Sequence, residues 1–213
     1  MSGARYPEPG SAEEVLRETQ DFFRERGAVH EALRRLAERL REESIPYAIV
    51  GGMALNLHGY HRQTVDVDIL LTREGLERFR TRLVGRGYVV AFPGALKTFR
   101  DPETGVKIET LTTGEYPGDG KPKPVSFPDP AAAAVDVAGY SVIGLERLIE
   151  MKIASGLSAP HRLHVDLADV QRLVEELGLP AALEAKLDPS VRAEYRRLWD
   201  LAQRVREGPH ERG

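Results

Sequence analysis

The chain has 213 residues, 30% of them charged and 41% hydrophobic, with a formal net charge of −3. It contains no cysteine, which excludes disulfides, thiolate metal sites and cysteine nucleophiles. The acidic balance excludes a protein that is basic over its whole surface and binds nucleic acid that way, and no run approaches the ~20 apolar residues of a membrane helix.

Residues 1–10 are polar and rich in Pro and Gly. They lack the apolar stretch of a signal peptide, so a cytoplasmic, membrane-free protein is expected. Two helices are predicted next, from Val15, Leu16, Thr19, Phe22 and Phe23, and from Val29, Leu33, Leu36, Ala37 and Leu40, at helical spacing. The arginines around them (Arg24, Arg26, Arg34, Arg35, Arg39, Arg41), mixed with Glu, read as a solvated face with i,i+4 pairs. Pro46 stops the helical pattern. Tyr47-Ala48-Ile49-Val50 is a short β-prone run leading into Gly51-Gly52, which reads as a buried strand and tight turn. Met53–His58 is predicted to be one or two helical turns closed by Gly59. From Val65 to Leu71 the pattern alternates, with Val65, Val67, Ile69 and Leu71 on one face and Asp66 and Asp68 on the other. A helix follows over residues 74–85, then a strand over 88–91. Asp101-Pro102-Glu103-Thr104-Gly105 marks a hairpin between residues 97–100 and 106–111.

Residues 114–130 are rich in Gly and Pro and read as a loop, and residues 131–142 have room for one more strand. Helical stripes then follow. They are Leu145, Leu148, Ile149 and Ile153; Leu163, Leu167, Val170, Val174 and Leu177; and Val191, Tyr195, Leu198, Trp199, Ala202 and Val205. Asp188 and Pro189 open the last as N-cap and N1, and the tail from Glu207 is expected to fray. The expected fold is α/β (α+β): a small mixed sheet flanked by helices, with a C-terminal α-helical bundle. The expected division is N-terminal helices over 1–43, a catalytic core over 44–130 and a helical domain over 131–207.

Asp66 and Asp68 are two residues apart on a strand, so their carboxylates share a face, roughly 6.5–7 Å apart along the backbone. With apolar residues burying the opposite face, two like charges there are costly unless a cation neutralises them. A hard divalent cation suits oxygen ligands, and Mg²⁺ favours one or two carboxylates together with phosphate oxygens. Equally, such a pair can lie on an edge strand with a solvated outer face. Gly51-Gly52 lets backbone approach a phosphate at a helix start, although an ordinary tight turn has the same sequence. Glu109 stands in a further β-prone segment, with Ile108 and Thr110 facing the other way. It can complete a metal shell or act as general base, or it can be an exposed residue paired with Lys107 or Lys97.

Gly51-Gly52-Met53-Ala54, followed by His58-Gly59-Tyr60-His61-Arg62-Gln63-Thr64-Val65-Asp66-Val67-Asp68-Ile69-Leu70, resembles the signature of the polymerase-β-like nucleotidyltransferase superfamily. Within it, the His-Gly, Arg and Thr between the two halves resemble the AbiEii/AbiGii toxin family. The resemblance implies that Gly51 and Gly52 contact a triphosphate, that Asp66 and Asp68 bind Mg²⁺ or Mn²⁺, and that Glu109 is the third acid where many relatives have Asp. It places Arg62 and Thr64 at the start of the carboxylate strand as nucleotide-binding residues. Arg62 has phosphate or Asp66 as its alternative partners, and His58 reads as a satisfied helix-end histidine.

An echo of the same family runs through Lys152, His161-Arg162 and Asp166-Leu167-Ala168-Asp169. Lys152 falls on an apolar stripe, where it must meet an anion, either a bound triphosphate or Asp169. Asp166 and Asp169 share a helix face and are placed to orient Lys152 or Arg162. The implied function is transfer of NMP from an NTP to tRNA or protein with release of pyrophosphate, by the toxin of a toxin–antitoxin or phage-defence pair with a cognate antitoxin. The alternatives are a small-molecule (antibiotic-type) nucleotidyltransferase and a nucleotide-binding module without turnover. A basic rim from Arg80, Arg82, Arg162 and Arg196 would mark a nucleic-acid acceptor, and an acidic cleft near Glu109 a cationic small molecule.

Overall fold

The computed structural model describes residues 12–207, and side chains within residues 27–205. The expectations for residues 1–10, for the side chains of the first predicted helix and for the tail beyond Glu207 lie outside the described residues. One continuous helix, α1 (Ala12–Glu42), stands where two were expected. The helix runs through Gly27, whose cost of about 1 kcal/mol is met by the packing of Val29, Ala32, Leu33, Leu36, Ala37 and Leu40, all buried. Arg34 pairs with Glu31 at 2.6 Å and Glu38 at 2.7 Å as an exposed helix-surface network. Arg35 instead leaves the helix to reach Glu103 and the buried Asp101.

Strand β1 (Tyr47–Val50) runs straight into the short helix α2 (Gly51–Leu57). Strand β2 (Asp66–Leu71) returns antiparallel to β1, with Val50 opposite Asp68. Helix α3 (Arg73–Arg82) is capped by Thr72, whose hydroxyl accepts from Gly75 N–H. Phe79 on α3 packs between Tyr88 and Phe99, with ring centroids 5.5 and 4.6 Å away. Strands β3 (Val89–Val90) and β4 (Thr98–Arg100) lead to β5 (Lys107–Thr112), which forms the expected hairpin with β4 and lies parallel to β2.

After the loop comes a single turn, α4 (Pro130–Ala133), and two further strands, β6 (Ala134–Val137) and β7 (Tyr140–Ile143). Residues 131–207, expected to be helical, therefore open with strands, and β7 pairs parallel with β1. The result is one seven-stranded mixed sheet, ordered β3-β4-β5-β2-β1-β7-β6. Helices α5 (Leu145–Ser158), α6 (Leu163–Leu177) and α7 (Pro189–Glu207) complete the fold, with a 3₁₀ turn over Ala181–Lys186. Their stripes are buried at Leu148, Ile149, Ile153, Leu167, Val170, Val174, Val191, Tyr195, Leu198 and Ala202. Two residues leave the expected faces: Val65 precedes the paired part of β2 and is exposed, and Val205 near the end of α7 is exposed. Among the described residues no helix is long and apolar enough to cross a membrane.

Candidate functional site

The central strands bring the candidate residues together. Alternation on β2 buries Val67 and Ile69 completely and leaves Asp66 and Asp68 half-buried on the opposite face. Parallel pairing sets Asp66 beside Lys107 and Asp68 beside Glu109. Carboxylate oxygens of Asp66, Asp68 and Glu109 then lie within 4.8 Å of one another. Ligand oxygens on one octahedral ion at about 2.1 Å lie about 3–4 Å apart, so side-chain rotations that draw these oxygens inward close the set around one ion. The donor set is the all-oxygen kind that Mg²⁺ and Mn²⁺ take.

Electrostatics points the same way. The Asp68 carboxyl is pushed up to about 7, first by burial, then by the charges of Asp66 and Glu109, with Lys107 and Lys152 offsetting part of this. Like charges this close repel one another and favour a cation beside them. Asp66 is held from one side by the Thr64 hydroxyl, which donates to its Oδ1 at 3.1 Å.

The two glycines are required by this packing. Gly51 has φ +62°, a left-handed conformation at the junction of β1 and α2. A Cβ there would collide with Asp68 Oδ2 and lie 2.8 Å from its Cγ. A Cβ on Gly52 would lie 2.7 Å from Thr64 Oγ1 and 2.8 Å from its Cβ. The glycine turn is thus pressed against both the carboxylate strand and its leading threonine. The first N–H groups of a helix have no intrahelical partner, and this turn sets the start of α2 against the carboxylates.

Cations line the other side. Lys152 is 7% exposed, and its ammonium donates to Asp166 Oδ1 at 3.0 Å and Asp169 Oδ2 at 2.7 Å. Its anions are therefore both aspartates of α6. Arg62 pairs with Asp169, one guanidinium nitrogen lying 2.8 Å from each carboxylate oxygen, and not with Asp66. Arg162 donates to Asp166 at 3.0 and 3.2 Å. Burial opposes ionisation of Asp166, but Lys152, Ser155 and Arg162 outweigh it and hold its carboxyl below the usual range. Three cations thus share two buried carboxylates. His58 lies apart from this cluster, its Nε2–H donating to the Ile143 carbonyl at 2.7 Å, as expected of a helix-end histidine.

Gly51, Gly52, Arg62, Thr64, the three acids, Lys152, Arg162 and Asp166 wall one cleft of about 460 Å³, while Asp169, Lys107 and His58 lie outside its lining. The lining also includes Lys97, just before β4, and Glu115, Tyr116 and Phe127 from the loop after β5. Glu115 forms a salt bridge with Lys97. That loop read as a linker in the sequence, because Gly and Pro density carries no sign of which side chains a loop presents. Lys107 was visible only as a possible partner of Glu109. Its Nζ lies 2.8 Å from Glu109 Oε1 and 3.3 Å from Asp66 Oδ2, inside the acidic cluster. Of the four arginines considered for a basic rim, Arg162 lines the cleft, while Arg82 faces Glu43 and Arg196 binds Glu184.

No protein-family model matches this sequence, and no curated protein does. Among solved structures, a nucleotidyltransferase-like antigenic protein from Paracoccidioides brasiliensis is 19% identical with a TM-score of 0.51, over 86% of this chain and 89% of that one. A Helicobacter pylori protein provisionally named a nucleotidyltransferase is 14% identical, TM-score 0.45, over 84% and 94% of the two chains. The enzyme ANT(2″)-Ia, solved with adenylyl-2″-tobramycin, is 14% identical, TM-score 0.38, over 83% and 90%. Of these three, the first is similar enough to bear on the fold. With the sheet order and the flanking helices, it makes this a nucleotidyltransferase-type α/β fold.

Proposed function

We propose that this chain is a metal-dependent nucleotidyltransferase that moves NMP from an NTP to an acceptor. The observation that carries the reading is the convergence of Asp66, Asp68 and Glu109 within 4.8 Å, directly beneath the Gly51-Gly52 turn. A divalent cation held by these three acids, Mg²⁺ or Mn²⁺, would neutralise the triphosphate and align the attacking and leaving oxygens.

The chain's own residues supply the rest. Gly51 and Gly52 bring backbone N–H groups to the phosphates, and Thr64 steadies Asp66. Arg62, Lys152 and Arg162 form a positive wall for the triphosphate. The acceptor oxygen bonds to the α-phosphorus, the bond to the bridging oxygen breaks, and pyrophosphate departs. Glu109, on the side of the cluster facing Lys97 and Glu115, takes the acceptor's proton.

The resemblance over residues 47–71 directs this proposal toward a cytoplasmic toxin of a toxin–antitoxin or phage-defence pair, acting on tRNA or protein. A second reading has its own observation. The cleft is lined by Glu109, Glu115 and Tyr116 together with Lys97, which pairs with Glu115, while Arg80, Arg82 and Arg196 do not line it. A lining without those three arginines, and with Glu109 beside the metal acids, suits a compact cationic acceptor, such as an amino sugar, better than a polyanion.

The deciding experiment incubates the protein with each labelled NTP, Mg²⁺, and total tRNA, total protein or a set of amino-sugar antibiotics. Label should pass to one acceptor class, and Asp66→Ala and Asp68→Ala should each abolish it. Transfer that persists in both variants refutes the metal assignment. Nucleotide binding without transfer to any acceptor refutes turnover.

A further inference from the structure

Parallel pairing of β2 with β5 lays out four side chains as a square on one face of the sheet: Asp66 and Lys107 in one row, Asp68 and Glu109 in the next. Three corners are acids and the fourth is a base. Among the described residues, Lys107 is the only cation that a salt bridge joins to the three acids. It touches Asp66 and Glu109, and no salt bridge reaches Asp68. Arg100 of β4, paired with Lys107, donates to the Gly105 carbonyl of its own hairpin at 2.5 Å. The Lys107 side chain is 38% exposed, on a flexible stem that reaches solvent by rotamer change alone.

The two edges of the acidic cluster are therefore unequal. A divalent cation approaching Asp66 and Asp68 meets one carboxylate, Asp68, that no ammonium bridges, and a second, Asp66, that Lys107 holds only at 3.3 Å. One approaching Glu109 meets an ammonium already in place, and must displace it while also shedding its own water.

Resting on the metal-dependent reading above, we propose that Lys107 is a built-in counterion filling the corner between Asp66 and Glu109 in the nucleotide-free protein. One divalent cation enters on the Asp66–Asp68 edge alone. The Glu109 edge opens when a triphosphate offers the ammonium phosphate oxygens instead and draws it away. Full metal loading is thereby tied to the presence of nucleotide.

Mn²⁺ binding, followed by calorimetry and by the electron paramagnetic resonance of free Mn²⁺, tests this in wild type, Lys107→Met and Lys107→Arg. Wild type and Lys107→Arg should bind one Mn²⁺ per chain, rising to two with a non-hydrolysable NTP analogue. Lys107→Met should bind two without nucleotide, or one about tenfold or more tightly, since a unit positive charge next to the site is gone. As a second readout, Mn²⁺ should raise the melting temperature of Lys107→Met more than that of wild type. Two Mn²⁺ on nucleotide-free wild type, or equal stoichiometry and affinity in wild type and Lys107→Met, overturns this proposal and leaves the metal reading intact. No Mn²⁺ bound to either protein overturns both.

Discussion

Asp68→Asn separates what this site costs from what it does. In the folded, metal-free protein the Asp68 carboxyl titrates near 7, against an ordinary value of 3.8. Burial comes first among the causes, then the Asp66 and Glu109 charges. The sign follows from linkage: an acid that holds its proton more tightly when folded favours folding at low pH. That advantage is complete below pH 3.8, shrinks as pH rises, and is gone above 7, where a charged Asp68 must be accommodated. At pH 8 the penalty approaches about 4 kcal/mol, and it grows by about 2–3 kcal/mol between pH 5 and pH 8.

Asparagine is the same size and never ionises. In excess EDTA, Asp68→Asn should therefore be more stable than wild type at pH 8 by a few kcal/mol, and by clearly less at pH 5. Urea denaturation at the two pH values measures both differences. Mn²⁺ should stabilise wild type and leave the variant unmoved, so the order of stability narrows or reverses with metal. An Asp68→Asn protein no more stable than wild type at pH 8, or a gain that does not change between pH 5 and 8, refutes the claim that Asp68 is a strained charge awaiting a cation.

Gly51→Ala combines a left-handed backbone penalty of about 1–2 kcal/mol with a collision against Asp68. It should lower stability by roughly 2–4 kcal/mol and abolish Mn²⁺ binding, as judged by denaturation and by titration. Gly51→Ala should lose less when Asp68→Ala removes the colliding carboxylate, and strict additivity in that double-mutant cycle would contradict the packing described. Lys152→Met leaves Asp166 and Asp169 buried with Arg162 and Arg62 as their remaining partners, and should destabilise by about 3 kcal/mol. Adding Asp169→Asn should restore part of that loss, and no restoration would show that the ion pair is not what the substitution breaks.

The course of the chain near the site was legible in sequence because it depends on local rules. Alternation placed Asp66 and Asp68 on one face of β2 and the apolar residues on the other, and Gly51-Gly52 announced a tight turn. The helical stripes of α5, α6 and α7 followed from spacing, with Asp188 accepting from Ser190 N–H at 2.9 Å at the start of α7. Continuity of α1 through Gly27 was not legible, because tertiary burial of its second half outweighs a local glycine cost.

Pairing between distant segments was decided only by the tertiary structure. Nothing within residues 106–111 states that β5 lies parallel to β2 with Glu109 beside Asp68. A shift of one residue would turn Glu109 to the opposite face. Arg62 and Asp169 are 107 positions apart, and their choice of each other over Asp66 or phosphate depends on where α6 docks. The spacing of side chains along one element belongs to the sequence. Which charges meet across elements, including the ammonium of Lys107 inside the acidic cluster, belongs to register and packing, since burial makes each unpaired charge costly and leaves few arrangements that neutralise them all.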